Sequence, residues 1–230
     1  MKKYAAFLFT IVILTVSATP YTLKPAETLA KKTLKAHGGK YYKEMKSLAV
    51  RGNVDITVSS FNQAFPATFA TIISGEKYML EIDNPFQPFK QVFDGETTSS
   101  SIDRGFTLPP ITSIGMPLLQ KIGDKGYEIS ALVDKKKRGF RITTPDGYYT
   151  DFFTLKKTNL VKAYEASYTI NGTEALTTVE IDKFVEKAKV IVPQKFAQRF
   201  DIGQMTVYAE FKAKEVLVNT DIDDEVFTLN

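Results

Sequence analysis

Between residues 48 and 58 the apolar series Leu48, Val50, Gly52, Val54, Ile56 and Val58 alternates with Ala49, Arg51, Asn53, Asp55 and Thr57. A period of two sends one series to each face of an extended chain, so the segment predicts a half-buried strand of an antiparallel sheet. Similar strand candidates follow at 65–74, 77–82, 90–94, 140–144, 148–155, 160–169, 175–184, 194–200 and 205–218. Turn signals separate them: Gly75-Glu76, Asp94-Gly95, Pro145-Asp146-Gly147, Lys157-Thr158-Asn159, Asn171-Gly172 and Asp201-Ile202-Gly203. Such short polar breaks favour hairpins over crossover helices. The pattern is one meander of about ten strands, uninterrupted by a repeat or linker, and hence one domain.

Two segments change the period. Pro25-Ala26-Glu27 opens a helical stretch in which Ala26, Leu29, Ala30, Thr33 and Leu34 share a stripe, and Gly38-Gly39 ends it. From 108 to 122, Leu108, Ile111, Ile114, Leu118, Leu119 and Ile122 recur at helical spacing, but Pro109, Pro110, Gly115, Pro117 and Gly123 cut the stretch into short pieces. Short, proline-broken and apolar helices must cover something apolar. Two readings stand: a helix pair capping the core, or a movable lid over a cavity in a curved sheet.

The N-terminus reads as an address. Lys2 and Lys3 precede an uncharged apolar run of 13 residues, Tyr4 to Val16, followed by Ser17 and Ala18. As a helix the run is roughly 20 Å long, short of the ~30 Å hydrocarbon core, so residues 1–18 are expected to be a secretory signal peptide cut after Ala18. The domain is then 19–230, soluble in the periplasm. No cysteine follows the run to carry a lipid.

Composition narrows the chemistry. The 230 residues include no cysteine and one histidine, His37, which removes disulfides, thiol nucleophiles, Cys/His zinc sites and a Ser-His-Asp triad with a spare imidazole. The net charge of +4 falls to +2 once Lys2 and Lys3 are removed, too slight an excess for a nucleic-acid partner. Glu180 and Asp182 lie two apart on a strand candidate, but acid pairs of this kind arise by chance among 26 acids, and no enzyme is expected. Asp221, Asp223, Asp224 and Glu225 lack the Gly and the distant Glu of a calcium loop; acids opening a short helical turn before Phe227 account for them. Neither a metal nor a cofactor is expected. His37 reads as a helix C-terminal residue facing free carbonyls, and Asn171-Gly172-Thr173 as a hairpin turn before a glycosylation sequon. Lys135-Lys136-Lys137-Arg138 reads either as a solvated hairpin tip or as a weak, reversible contact with anionic lipid headgroups.

The run Ala36-His37-Gly38-Gly39 with Met45-Lys46-Ser47-Leu48 to Gly52, and the ending Val216-Leu217-Val218-Asn219-Thr220-Asp221-Ile222-Asp223-Asp224-Glu225-Val226-Phe227, carry a resemblance. In these stretches, and in the order helix, meander, helical insertion, acidic turn, the chain resembles the LolA/LolB-like superfamily of periplasmic and outer-membrane lipoprotein carriers. The resemblance implies a mostly β fold: a single, strongly bent antiparallel sheet forming an unclosed half-barrel, with an N-terminal helix and a short helical lid or plug on its concave side. It implies a monomeric binder of lipid or lipoprotein acyl chains, loaded or unloaded by a membrane partner. The phenylalanines at 65, 69, 86, 89, 93, 152, 153 and 211 could line such a pocket or fill an ordinary core. Arg51 lies on the face opposite the apolar series, so it does not take the role of the basic residue inside the cavity of the family's best-known carrier. Phe69, Phe93, Ile111, Ile114, Leu118 and Leu119 are the expected lining or lid positions. The other reading is a sensory or protein-interaction module of the same fold with a filled core.

Overall fold

The computed structural model describes residues 24–59, 63–84, 88–102, 107–108, 110–170, 173–202 and 205–229. The expected signal peptide, Phe86 and the turn at 171–172 lie outside these residues.

Helix α1, Pro25–Ala36, begins with proline in its first turn, has Glu27 near its positive end and Lys35 near its negative end, and buries Ala26, Ala30 and Thr33. It stops where Gly38 and Gly39 take φ of +123° and +57°. A Cβ on Gly38 would stand 2.4 Å from the Lys189 carbonyl oxygen, so this stop also lets the helix end press against a hairpin far along the chain. A further short helix, α2 (Lys40–Lys43), follows at once.

Twelve strands form one sheet: β1 Ser47–Val58, β2 Ala64–Ser74, β3 Lys77–Asp83, β4 Phe89–Phe93, β5 Thr98–Ser100, β6 Glu128–Ser130, β7 Gly139–Thr143, β8 Tyr149–Thr154, β9 Val161–Ile170, β10 Thr173–Lys187, β11 Val190–Ile202 and β12 Met205–Val218. Their order is β5-β4-β3-β2-β1-β12-β11-β10-β9-β8-β7-β6, and every neighbouring pair is antiparallel. Two meanders therefore run outward from a seam between the first and the last strand. The ends β5 and β6 do not pair, and the sheet is an unclosed half-barrel of the expected class. It differs from the ten-strand reading in two added edge strands and in a longer β10–β11 hairpin. The 108–122 insertion forms two 3-10 turns, Ile111–Ser113 and Met116–Lys121.

The main core lies on the inner face, between the sheet and the α1, α2 and 3-10 segments, and includes Val54, Phe69, Leu118, Leu119, Phe140, Phe152, Val190 and Phe211. A second, smaller core lies on the outer face, where the C-terminal 3-10 turn Asp224–Phe227 lays Phe227 against Ala49, Ile72, Met79 and Val92. Asp223 caps that turn by accepting the Glu225 N–H at 3.0 Å, so this acidic stretch opens a turn as its sequence implied. No helix among the described residues is long and apolar enough to cross a membrane.

Candidate functional site

The strand registers assemble two apolar rows across the inner face. One runs Phe65, Ile56, Ala209, Gln198, Val179, Tyr164, Phe152, Phe140; the next runs Val58, Val207, Phe200, Thr177, Ala166, Thr150, Ile142, Ile129. Neither row contains a charge. The polar members are tied up: Gln198 donates to Thr177 Oγ1 at 2.8 Å, Thr177 donates to the Arg199 carbonyl at 3.2 Å, and Thr150 Oγ1 accepts the Gly115 N–H at 3.0 Å. Aromatic rings knit the wall. Phe211 meets Phe69 edge-on at 5.0 Å and stacks on Phe196 at 4.7 Å, and Phe152 stacks on Phe140 at 5.2 Å. Burial pushes the phenols of Tyr42, Tyr164 and Tyr168 far above their ordinary value, so all three remain neutral hydroxyls.

The segment 108–122 plugs this face. Prolines and Gly115 deny it a regular helix, so it turns in 3-10 pieces and sends Leu118 and Leu119 inward until both are fully buried. It is fastened mainly to α2. Tyr42 donates its hydroxyl to the Met116 carbonyl at 3.0 Å, and the Gln120 amide donates to the Tyr42 and Met45 carbonyls at 3.0 and 2.9 Å. Lys43 donates to the Gln120 and Ile122 carbonyls and to Asp124, and Lys121 pairs with Glu76 at 2.5 Å. Gly115 sets the backbone path of this segment. Its φ is +65°, and a Cβ there would sit 2.8 Å from the Tyr164 ring. Tyr42, Lys43 and Gln120 escape the sequence pattern; the two polar residues Gln120 and Lys121 inside the otherwise apolar run 116–122 are the signal available.

Away from the plug the wall is less deeply buried. Ile56, Val58, Phe65, Ile82, Phe89, Phe196, Phe200 and Val207 are all only half-buried. Of the expected lining residues, Phe69 is buried beside Phe211, whereas Phe93 lies near the sheet edge, half-buried and stacked on Tyr78 at 5.9 Å. Ile111 is half-buried on the first 3-10 turn, and Ile114 packs with Leu108, Tyr148, Tyr168, Ala175 and Phe200. Leu118 and Leu119 belong to the main core. Phe153 alternates to the outer face, under the Lys137 ammonium at 4.8 Å from its ring.

His37 does something its sequence context did not suggest. Its backbone N–H caps α1 on the Thr33 and Leu34 carbonyls, while its ring stands between two strands: Nδ1 donates to the Ile191 carbonyl at 2.8 Å and Nε2 accepts the Val161 N–H at 3.1 Å. Burial lowers its pKa below the ordinary 6.5. The neutral ring thereby locks α1 to β9 and β11.

The outer face is charged. Arg141 grips Asp151 through two bonds of 2.6 and 2.7 Å and lies 3.7 Å over the Tyr149 ring. Grooves of about 430 and 260 Å³ on this face are lined by Glu180, Asp182, Lys195 and Glu210 and by Asp55, Thr57, Tyr208 and Glu210. Both are open, Ile181, Phe196, Ala197 and Ala64 also line them, and Lys195 pairs with Asp182 at 3.0 Å. No group of His, Asp and Glu among the described residues is placed to hold a metal. Arg51 is exposed on this outer face. In the basic run, Arg138 is half-buried and bonded to the next hairpin, Lys137 lies 3.8 Å from Glu165, and Lys135 and Lys136 are exposed.

An open antiparallel half-barrel, plugged on its inner face and with an apolar wall running past the plug, is the class these features define. It is the fold of the LolA superfamily. The structure superposes on a LolA superfamily protein from Nitrosomonas europaea with a TM-score of 0.52 at 10% identity, covering 89% of this chain and 97% of that one. It superposes on a domain designated an outer membrane lipoprotein-sorting protein, from Vibrio parahaemolyticus, with a TM-score of 0.50 at 10% identity, covering 88% and 95%. By sequence the chain matches no family model and no curated protein.

Proposed function

We propose that the protein is a non-enzymatic periplasmic carrier of lipid or lipoprotein acyl chains. The observation that carries this reading is the half-buried wall of Ile56, Val58, Phe65, Phe200 and Val207, which continues the buried apolar rows beyond the plug. An acyl chain laid along these rows leaves water at a gain of roughly 0.8 kcal/mol per methylene. To admit it, Ile111, Ile114, Leu118 and Leu119 swing away about Gly115 and Gly123, both at positive φ, while Phe69 and Phe93 stay as wall. The fold it shares with a domain designated for lipoprotein sorting supports the same cargo class. In this reading residues 1–18 are the signal peptide, the mature chain acts as a monomer, and a membrane protein loads or unloads it.

The test is mass spectrometry of an organic extract from mature protein purified without detergent. Stoichiometric lipid is expected, and Leu118→Asp, with the fold retained, should change uptake of a fluorescent fatty acid. No lipid in the extract and no uptake of added lipid would sink the carrier reading. One observation favours a second reading, a sensory or interaction module with a filled core: Leu118 and Leu119 are wholly buried. A filled core takes up no probe at all, with or without the substitution.

A further inference from the structure

The segments 131–138 and 155–160, which join β6 to β7 and β8 to β9, are fixed to each other at one end of the sheet. Arg138 is the staple: its guanidinium donates to Thr154 Oγ1, to the Leu155 carbonyl at 3.1 Å and to Asn159 Oδ1 at 2.6 Å. The Thr154 N–H returns a bond to the Arg138 carbonyl at 3.1 Å. With Arg138 consumed in this way, the surface of the pair is made by lysines. Lys135, Lys136, Lys137, Lys156 and Lys157 are all exposed. Only Lys137 approaches an acid; the other four have no ion-pair partner among the described residues. Asp134 is turned to its own loop, where it accepts the Lys136 N–H at 2.9 Å.

The charge is concentrated to a degree that the composition hides. These two segments hold six of the 30 basic residues and one of the 26 acids, so the rest of the chain carries 24 positive against 25 negative groups. Amid the lysines stands apolar surface. Val133 is 81% exposed, the most of any large apolar side chain described, and Leu155 is 39% exposed. Exposed aliphatic side chains on the same two joined segments as unpaired cations match a bilayer interface, where acyl carbon lies just beneath phosphate.

We propose that this end of the molecule docks on an anionic phospholipid bilayer, with Val133 entering the headgroup layer and Lys135, Lys136, Lys156 and Lys157 supplying the attraction. Contact through a few cations and one small apolar tip is reversible and salt-sensitive. The inference stands apart from the acyl-chain reading, because none of these residues belongs to the inner wall or the plug.

The experiment is co-sedimentation of the mature full chain with vesicles of phosphatidylcholine alone or with roughly 30% phosphatidylglycerol. Binding about tenfold tighter to the anionic vesicles is expected at ~0.1 M salt, and most of it should be lost at ~0.5 M. Reversing the four lysines to glutamate should abolish the preference. Val133→Asp should weaken binding several-fold while the circular dichroism spectrum stays unchanged. Equal binding to both vesicles, insensitivity to charge reversal, or binding to an acidic protein with none to vesicles would each overturn the proposal. Lipid extracted from the charge-reversed variant keeps the two readings separable: if vesicle binding fails while bound lipid persists, only the docking inference falls.

Discussion

Lowering the pH should unfasten the protein at a single imidazole. Both ring nitrogens of His37 are committed, Nδ1 as donor to Ile191 and Nε2 as acceptor from Val161. A proton on Nε2 would turn that acceptor into a donor facing a donor, inside a site with 0% exposure. The folded-state pKa is held below 6.5, whereas the unfolded chain takes its proton near that value. A depressed pKa gives stability that is fully present above 6.5 and drains away as the pH falls, until the folded state also protonates. Passing from pH 7.5 to 5.5 removes stability up to a ceiling of about 1.4 kcal/mol, the value for a folded ring that takes no proton over that range. Urea unfolding followed by circular dichroism at the two pH values measures it, with His37→Gln as reference, since glutamine offers a donor and an acceptor but does not titrate. His37 is the chain's one histidine, and carboxylates remain largely ionised over this range, so the difference between the two proteins isolates the ring. If His37→Gln loses as much stability as the wild type, the loss does not come from the His37 ring.

Three further outcomes follow from the packing. Gly115→Ala forces a Cβ to within 2.8 Å of the Tyr164 ring at a positive φ, and should cost about 1–3 kcal/mol or more in thermal or urea unfolding. Tyr42→Phe deletes the bond to the Met116 carbonyl, which should lower stability by about 1–2 kcal/mol and speed hydrogen exchange of the plug amides. Phe227→Ala empties the outer-face core, where Phe227 is 1% exposed, and should lose about 3–5 kcal/mol in denaturant titration while leaving uptake of a fluorescent fatty acid at the inner face unchanged.

The central strands were legible because each buries one face, and alternation as regular as that of β1 has one structural solution. The edge strands were not. β5 is Thr-Ser-Ser and β6 is Glu-Ile-Ser, three residues each, held by a neighbour's backbone rather than by any pattern of their own. The β10–β11 hairpin was read too short for a different reason. Its register shifts around Lys183, and it turns through Ala188 and Lys189 at φ of +48° and +65°, without the Asn or Gly that advertises such a turn. At the site, the apolar wall could be read from period and residue type. The fastening of the plug could not, because Tyr42, Lys43 and Gln120 meet only after the chain has folded back over more than seventy positions. The same holds for His37, whose partners lie 124 and 154 residues away.

The seam between β1 and β12 sets the order in which the molecule can be assembled. Ser47 donates its hydroxyl to the Thr220 carbonyl across 173 residues, and Leu48 pairs with Val218. Each meander can zip hairpin by hairpin, but the two halves join only once β12 is available to β1. Closing so long a loop is slow. The last pairing to form, between β1 and β12, is therefore the one that joins the two meanders into a single sheet.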